Sequence, residues 1–271
     1  MPKKPIDQPR IFSLSYYMEE KAKIDQLVKL IKEAKNMVAL TGAGVSTLSG
    51  IRDFRGKDGL YKEMDAEKIF SLDFFLRDPS FYYNNAGTFI YNIDEKEASI
   101  VHTTLGELEQ KGRLKALITQ NIDLLHQKGG SKNVIEIHGS PTIHYCLYCT
   151  DVEMSFAEAA AIVRAGNLPE CPKCGKVLKP AITFFGENLP ANALVDAMRI
   201  SERADLMLVL GTTLTVYPAA SMPEYTLHGG GKLVIVNNMP TPMDRYATLL
   251  FDDLEEVFSE LKSRLNSFDN L

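Results

Sequence analysis

Two Cys-x-x-Cys pairs constrain this chain more than any other feature. Cys146 and Cys149 form the first pair, Cys171 and Cys174 the second, with 21 residues between them and no other cysteine in the sequence. Each pair can bite one tetrahedral metal ion through a tight knuckle, and four thiolates suit zinc. Pro172 and Gly175 supply turn chemistry for the second knuckle. Four thiolates leave no open coordination position, so a zinc ion held this way is structural. Two redox-active dithiol pairs, or incidental cysteines, are the competing readings.

The surrounding composition narrows the compartment and the class. The N-terminal MPKKPIDQPRIFSL has basic residues but no apolar core and no small-residue cleavage site, so we read no signal peptide. A cytoplasmic location follows as an expectation, and with it metal or redox chemistry rather than disulfides. A hydrophobic share of 45% over 271 residues supports a sizeable buried core. The net charge of −5 argues against nucleic acid as a partner. No apolar run approaches the roughly 20 residues of a membrane-spanning helix, so no membrane partner is expected.

Residues 19–34 carry helical apolar spacing, with Ile24, Leu27, Leu30 and Ile31 on one face, after a loose arm at residues 1–17. Residues 37–40 read as a buried strand that enters a Gly-rich turn at Thr41-Gly42-Ala43-Gly44. Residues 116–119, 205–210 and 232–237 read as further buried strands, ending in TQNID, GTT and NN. Strands alternating with helices predict an α/β fold, a Rossmann-like parallel sheet with helices on both faces. In such sheets the ligand crevice lies at the C-terminal strand ends, where the polar residues fall. Two stretches break the alternation: residues 59–100, rich in Phe and Tyr at helical spacing, and residues 145–180 with the cysteines. We read them as a helical insertion and a zinc ribbon that form a smaller module. The larger, discontinuous domain then comprises residues 19–58, 101–144 and 181–271. Residues 254–265 form an amphipathic helix.

The Gly-rich turn is weak by itself. A dinucleotide fingerprint needs a third glycine where Thr47 stands, and no acidic residue sits at a recognisable strand end about 20 residues on. A plain dehydrogenase reading fails on both counts. What remains is a turn whose backbone N–H groups and following helix could cradle a pyrophosphate, or a tight strand-to-helix turn without a ligand.

Seven segments in order say more: GAGVSTLSGIRDFRG (42–56), TQNIDLLHQKGG (119–130), IHGS (137–140), the cysteine pairs, FFGENLP (184–190), GTTLTVYPAA (211–220) and VIVNN (234–238). Together they resemble a sirtuin of the minimal bacterial or archaeal type, from about Asp25 to the C-terminus. The resemblance implies an NAD-dependent protein lysine deacylase. An acyl-lysine oxygen attacks the nicotinamide ribose as nicotinamide leaves, a histidine then takes a proton from a ribose hydroxyl, and the acyl group ends on ADP-ribose. NAD is the implied co-substrate, zinc the implied metal, and acylated-lysine proteins or peptides the implied partners of a monomeric enzyme.

By the same resemblance His138 is the catalytic base, a role suited to an imidazole. Asn121 and Asp123 hold the nicotinamide end and its ribose and act with His138, Gln120 holds the ribose hydroxyls, and Ile122 belongs to the same cofactor-binding loop. Gly42, Ala43, Gly44, Thr47, Asp53, Phe54 and Arg55 match the cofactor loop, where an aromatic can shield the ribose and an arginine can grip phosphate. Gly211, Thr212, Thr213, Asn237 and Asn238 match the adenosine side. Thr183, Phe184, Phe185, Gly186, Glu187 and Asn188 match the segment that pairs with substrate peptide as an added strand. His126 matches a motif histidine that supports the cofactor loop. His102, His144 and His228 match none and read as surface or packing residues.

Arg52 stands where the family usually has proline, Ser140 where it has asparagine, and Thr183 where valine is frequent. The first removes a φ-fixing residue from the cofactor loop. Phe81-Tyr82-Tyr83-Asn84-Asn85 lacks the arginine, three residues from a tyrosine, with which the desuccinylases of this family grip acidic acyl groups. Neutral acyl groups, acetyl first, are therefore expected. A protein mono-ADP-ribosyltransferase on the same fold is the alternative, and a nucleic-acid-binding zinc module a more distant one.

Overall fold

The computed structural model describes residues 14–53 and 66–268. In chain order it contains α1 (Leu14–Glu33), β1 (Met37–Thr41), α2 (Gly44–Thr47), α3 (Ala66–Ile69), α4 (Leu72–Arg77), α5 (Pro79–Ile90), α6 (Ile100–Gln110), β2 (Leu114–Thr119), α7 (Leu125–Lys128), β3 (Val134–Glu136), β4 (Gly139–Tyr145) and β5 (Glu153–Ser155). These are followed by α8 (Phe156–Arg164), β6 (Lys179–Ile182), α9 (Ala191–Glu202), β7 (Leu206–Leu210), α10 (Met222–His228), β8 (Lys232–Val236), β9 (Leu249–Phe251) and α11 (Leu254–Ser263).

Six strands form one parallel sheet in the order β3-β2-β1-β7-β8-β9. Each central strand is apolar on both faces because helices cover both. Ala39, Leu117, Leu208 and Val234 point to a face packed by α1, α6 and α11 through Leu27, Leu105 and Phe258. Val38, Leu40, Ile118, Val209 and Ile235 point to the opposite face, against Ala197 of α9 and Met222 of α10. The fold class is the one read from the sequence. The chain leaves β1 toward β2 on one side and reaches β7 on the other, so the switch point lies between β1 and β7. Open α/β sheets bind ligands at such a point.

A second, antiparallel sheet has the order β5-β4-β6. It begins at Gly139, six residues before the stretch that the sequence sets apart, because β4 leaves the parallel sheet directly after His138 and pairs with β6. Helices α4, α5 and α8 pack with Phe184 into an aromatic cluster in which Phe70 and Phe75 each meet Tyr82 edge to face at a centroid distance of 5.9 Å. Edge-on contacts suit the ring quadrupoles. The first helix starts at Leu14, inside the stretch read as a loose arm. Among the described residues no helix is long and apolar enough to cross a membrane.

Candidate active site

The turn after β1 packs directly on the turn after β7, and three glycines make that possible. A Cβ on Gly42 would lie 2.7 Å from the Thr212 Cβ, and one on Gly44 would lie 2.7 Å from the Gly211 Cα. Gly211 has φ +59°, and a Cβ there would sit 2.6 Å from the Val45 nitrogen. The close approach that the missing third glycine would have provided locally is thus supplied by Gly211 from another strand. The Gly42 N–H donates to the Leu210 carbonyl at 3.0 Å and the Gly44 N–H to the Gly211 carbonyl at 2.9 Å. These two groups hold the turns together rather than standing open toward a phosphate. Helix α2 is a single turn, too short to develop much of a macrodipole.

The end of β2 supplies the polar floor. Asn121 Nδ2 donates to the Gly42 carbonyl at 3.0 Å and to Ser46 Oγ at 3.2 Å. Ser46 Oγ donates to Asp123 Oδ2 at 2.6 Å, and the Leu125 N–H donates to Oδ1 at 3.0 Å. Burial pushes the Asp123 carboxyl above the ordinary carboxylate value, while the Ser46 hydroxyl and the Leu125 N–H pull it back. Gln120 Nε2 reaches across the switch point to Thr212 Oγ1 at 3.0 Å.

Two buried histidines back this floor. The Ser99 N–H donates to His102 Nδ1 at 3.0 Å, so the ring proton sits on Nε2, which faces Ser46 Oγ at 3.5 Å. Burial lowers the His102 pKa to about 4, so the ring is neutral. His126 lies edge-on to it at 4.6 Å and contacts Thr41 Oγ1 at 2.8 Å. Thr41 continues to Thr119 Oγ1 at 2.9 Å, which accepts the Asn121 N–H at 3.0 Å. His102 is fully buried, as is His144, whose Nε2 meets the Tyr91 hydroxyl at 2.7 Å. Of the three histidines read as surface or packing residues, only His228 is exposed.

His138 stands between the two sheets. Its Nδ1 lies 2.9 Å from the Gln120 carbonyl. A carbonyl only accepts, so Nδ1 carries the proton and Nε2 keeps its lone pair in the neutral ring. Burial lowers its pKa, and the Gln120 carbonyl opposes that in part. The Thr183 N–H donates to the His138 carbonyl at 2.8 Å, tying the 183–188 segment to this histidine. Phe185 is already paired on one side, its N–H with the Phe70 carbonyl at 2.7 Å and its carbonyl with the Leu72 N–H at 3.1 Å.

One cleft of about 1450 Å³ runs along these strand ends. Gly42, Ala43, Gly44, Thr47, Asp53, Gln120, Asn121, Ile122, Asp123, His138, Gly211, Thr212, Thr213, Asn237 and Asn238 line it, as do all residues from Thr183 to Asn188. Phe54 and Arg55 lie outside the described residues. Ile90, Ile93, Ile122, Ile182 and Phe184 give the cleft an apolar wall beside the small module. Sequence reasoning missed Ser46, His102 and the Thr41–Thr119 pair. Ser46 lies within the quoted GAGVS motif, and His102 stands three residues after Ser99 at a helix start, the spacing of a capping box.

The four cysteine sulfurs lie within 4.8 Å of one another, with Cys146 Sγ and Cys174 Sγ 3.6 Å apart. A tetrahedral zinc with Zn–S bonds of about 2.3 Å requires S···S separations of about 3.8 Å, and a disulfide about 2.05 Å. The donor set fits one zinc ion and not a pair of disulfides.

The Sir2 family matches this chain over residues 42–218. The NAD-dependent protein deacetylase of Thermotoga maritima is 44% identical over 230 residues, covering 85% of this chain and 93% of the relative. A Sir2 structure with a deacetylated peptide and 3'-O-acetyl ADP-ribose superposes with a TM-score of 0.84 at 42% identity, covering 89% of this chain and 98% of that one. Sir2Tm bound to a propionylated peptide superposes with a TM-score of 0.79 at 39% identity, over 90% and 98% of the two chains.

Proposed function

The chain belongs to the Sir2 family, and from that premise we propose that its cleft removes acyl groups from protein lysine side chains at the expense of NAD, releasing nicotinamide and leaving the acyl group on ADP-ribose. The observation that carries the reading is the meeting, in one cleft, of a histidine with a fixed tautomer, a polar floor at the switch point and a peptide-receiving segment bonded to that histidine. Gly42, Gly44 and Gly211 let the two turns interlock, which brings the ends of β1 and β7 together at the switch point, where a sheet of this kind receives a dinucleotide.

Bound NAD supplies a glycosidic bond whose loss of nicotinamide opens the ribose carbon to the acyl oxygen. Residues of this chain do the rest. Asn121 and Asp123, fixed by Ser46 and the Gly42 carbonyl, orient the nicotinamide end. His138 offers Nε2 as the general base for a ribose hydroxyl. Gln120 takes the ribose hydroxyls, Thr212 and Thr213 the adenine-side phosphate and ribose, and Asn237 and Asn238 the adenosine end, all of them residues that line the cleft. Phe54 and Arg55 are assigned to the cofactor loop on the motif alone. The 183–188 segment, tied to His138 through the Thr183 N–H, receives the peptide as an added strand. The apolar wall around Ile93 and Phe184 favours neutral acyl groups. The four cysteines hold a structural zinc. The reading carries with it a cytoplasmic monomer acting on acylated proteins.

Mass spectrometry of an acetyl-lysine peptide with NAD tests this. Deacylation removes the acetyl mass, and ADP-ribosyl transfer would add to the peptide instead. In the same assay His138→Ala loses product formation far more than nicotinamide exchange, because exchange precedes the base step. Equal product yield from the variant and the parent would remove His138 from the chemistry.

A further inference from the structure

Lys179 is a lysine in an unusual place. Its side chain is 1% exposed, and its ammonium meets Glu187 Oε2 at 2.8 Å. It also donates to the Ile182 carbonyl at 2.8 Å and the Pro180 carbonyl at 3.1 Å. The Phe184 ring lies 4.2 Å away and the Tyr145 ring 5.6 Å away, so two aromatic faces complete the cage. Three oxygen acceptors satisfy the three ammonium protons.

Apolar residues of similar volume commonly stabilise a core as well as a buried ion pair does. Packing therefore gives no reason for this pair, and its position does. Glu187 closes the turn of the peptide-receiving segment: Oε2 accepts the Phe184 N–H at 2.7 Å, and the Glu187 N–H donates to the Phe184 carbonyl at 3.0 Å. Gly186, at φ +94°, allows the chain to reverse there. Lys179 approaches from beneath, on β6, whose pairing with β4 sets Tyr145 opposite it. The same two residues thus brace the Phe184 ring on the cleft wall and the backbone from Thr183 to Glu187.

We infer that the pair of buried Lys179 and half-buried Glu187 is a positioning device for the acylated peptide, holding residues 183–187 in the shape to which the peptide adds as a strand. The hydrogen bonds described for it run between the two side chains and to backbone atoms of Pro180, Ile182 and Phe184. The inference rests on the deacylase reading for its substrate. An edge held rigid before binding spares the peptide the cost of ordering it. Releasing about one residue's worth of backbone order is worth roughly five- to thirty-fold in affinity.

The test uses the full chain with zinc present and three variants. Glu187→Gln removes the charge but retains an acceptor for the Phe184 N–H, Lys179→Met retains the stem without the ammonium, and Lys179→Arg retains the charge. Fluorescence anisotropy gives the Kd of an acetyl-lysine peptide, and steady-state rates give KM for peptide and NAD separately. Glu187→Gln and Lys179→Met are expected to raise peptide Kd and KM about five- to thirty-fold. For Lys179→Met the NAD KM and the kcat at saturating peptide stay within about twofold, and Lys179→Arg recovers part of the peptide affinity. If Lys179→Met does not fold, Lys179→Gln, which removes the charge but keeps a donor, takes its place. A peptide Kd unchanged in folded Glu187→Gln overturns the inference, as does a rise of the NAD KM in equal proportion, which marks a general structural role. A parent protein that binds peptide but does not turn it over would overturn the deacylase reading, and the variants' peptide Kd would still decide the role of the pair.

Discussion

Ser46→Ala is the sharpest single test of how the polar floor is held. Ser46 is 1% exposed. Its hydroxyl donates to the buried Asp123 carboxylate at 2.6 Å, accepts from Asn121 Nδ2 at 3.2 Å and faces His102 Nε2 at 3.5 Å. The short bond to a charged group dominates, and losing it costs about 1.5–3 kcal/mol. The void left by one oxygen adds little, and Asp123 and Asn121 each keep one other partner, the Leu125 N–H and the Gly42 carbonyl. We expect a loss near 2 kcal/mol at neutral pH. The effect also has a sign in pH. Asp123 has a folded pKa above its unfolded value because desolvation outweighs its hydrogen bonds. Its contribution to stability is therefore fully present below the ordinary carboxylate range and is lost as pH rises through the raised folded value. The Ser46 bond is one of the factors that limit this rise. Removing it raises the folded pKa further, so the variant suffers most where Asp123 is charged. Urea unfolding of parent and variant, compared by midpoint at equal slope between about pH 7 and about pH 4, reads this out. The deficit should shrink in acid toward the roughly 1 kcal/mol of a neutral hydrogen bond. A deficit that is constant with pH, or that grows in acid, would refute the picture of a charged Asp123 held by Ser46.

Two further outcomes follow from the same geometry. Burial lowers the His138 pKa below its usual 6.5, so the neutral base persists below that pH, and the acid limb of kcat/KM should have its midpoint under 6.5; a pH–rate profile with that midpoint above neutrality would contradict the assignment. Stripping zinc with a chelator should lower the melting temperature and abolish turnover together, because the ribbon core of Cys146, Val152, Cys171 and Leu178 sits at the end of the sheet whose strands β4 and β6 also position His138 and Thr183; full activity in protein proved metal-free by elemental analysis would separate the ribbon from the site.

The central strands were legible because a parallel sheet buried on both faces demands unbroken apolar runs, and Met37–Thr41, Leu206–Leu210 and Lys232–Val236 are such runs. The edge strands Val134–Glu136 and Leu249–Phe251 were not, since three residues carry no period. The small sheet was hidden for a different reason. Gly139 pairs with Ile182 and Tyr145 with Lys179, partners dozens of residues apart that no local pattern announces. Motif residues pointed to the strand ends that line the cleft, yet the residues that hydrogen-bond to them, Ser46 among them, stayed silent. Ser46 reads as an ordinary small residue in a helix's first turn, and Lys179 as a solvent-facing charge.

The glycine turn shows why local patterns fall short at such a site. Read alone, Gly42-Ala43-Gly44 fails as a dinucleotide fingerprint because Thr47 occupies the third position. In space the role of that glycine passes to Gly211, whose left-handed φ and absent Cβ let β7's turn lie against Val45. The interlock engages the two glycine N–H groups of the first turn, and side chains that follow β2, β7 and β8 line the cleft. The same logic governs His138. Its tautomer is set by the Gln120 carbonyl, a backbone atom carried by another segment, so the sequence can single out the histidine but only the fold decides which of its nitrogens keeps a lone pair.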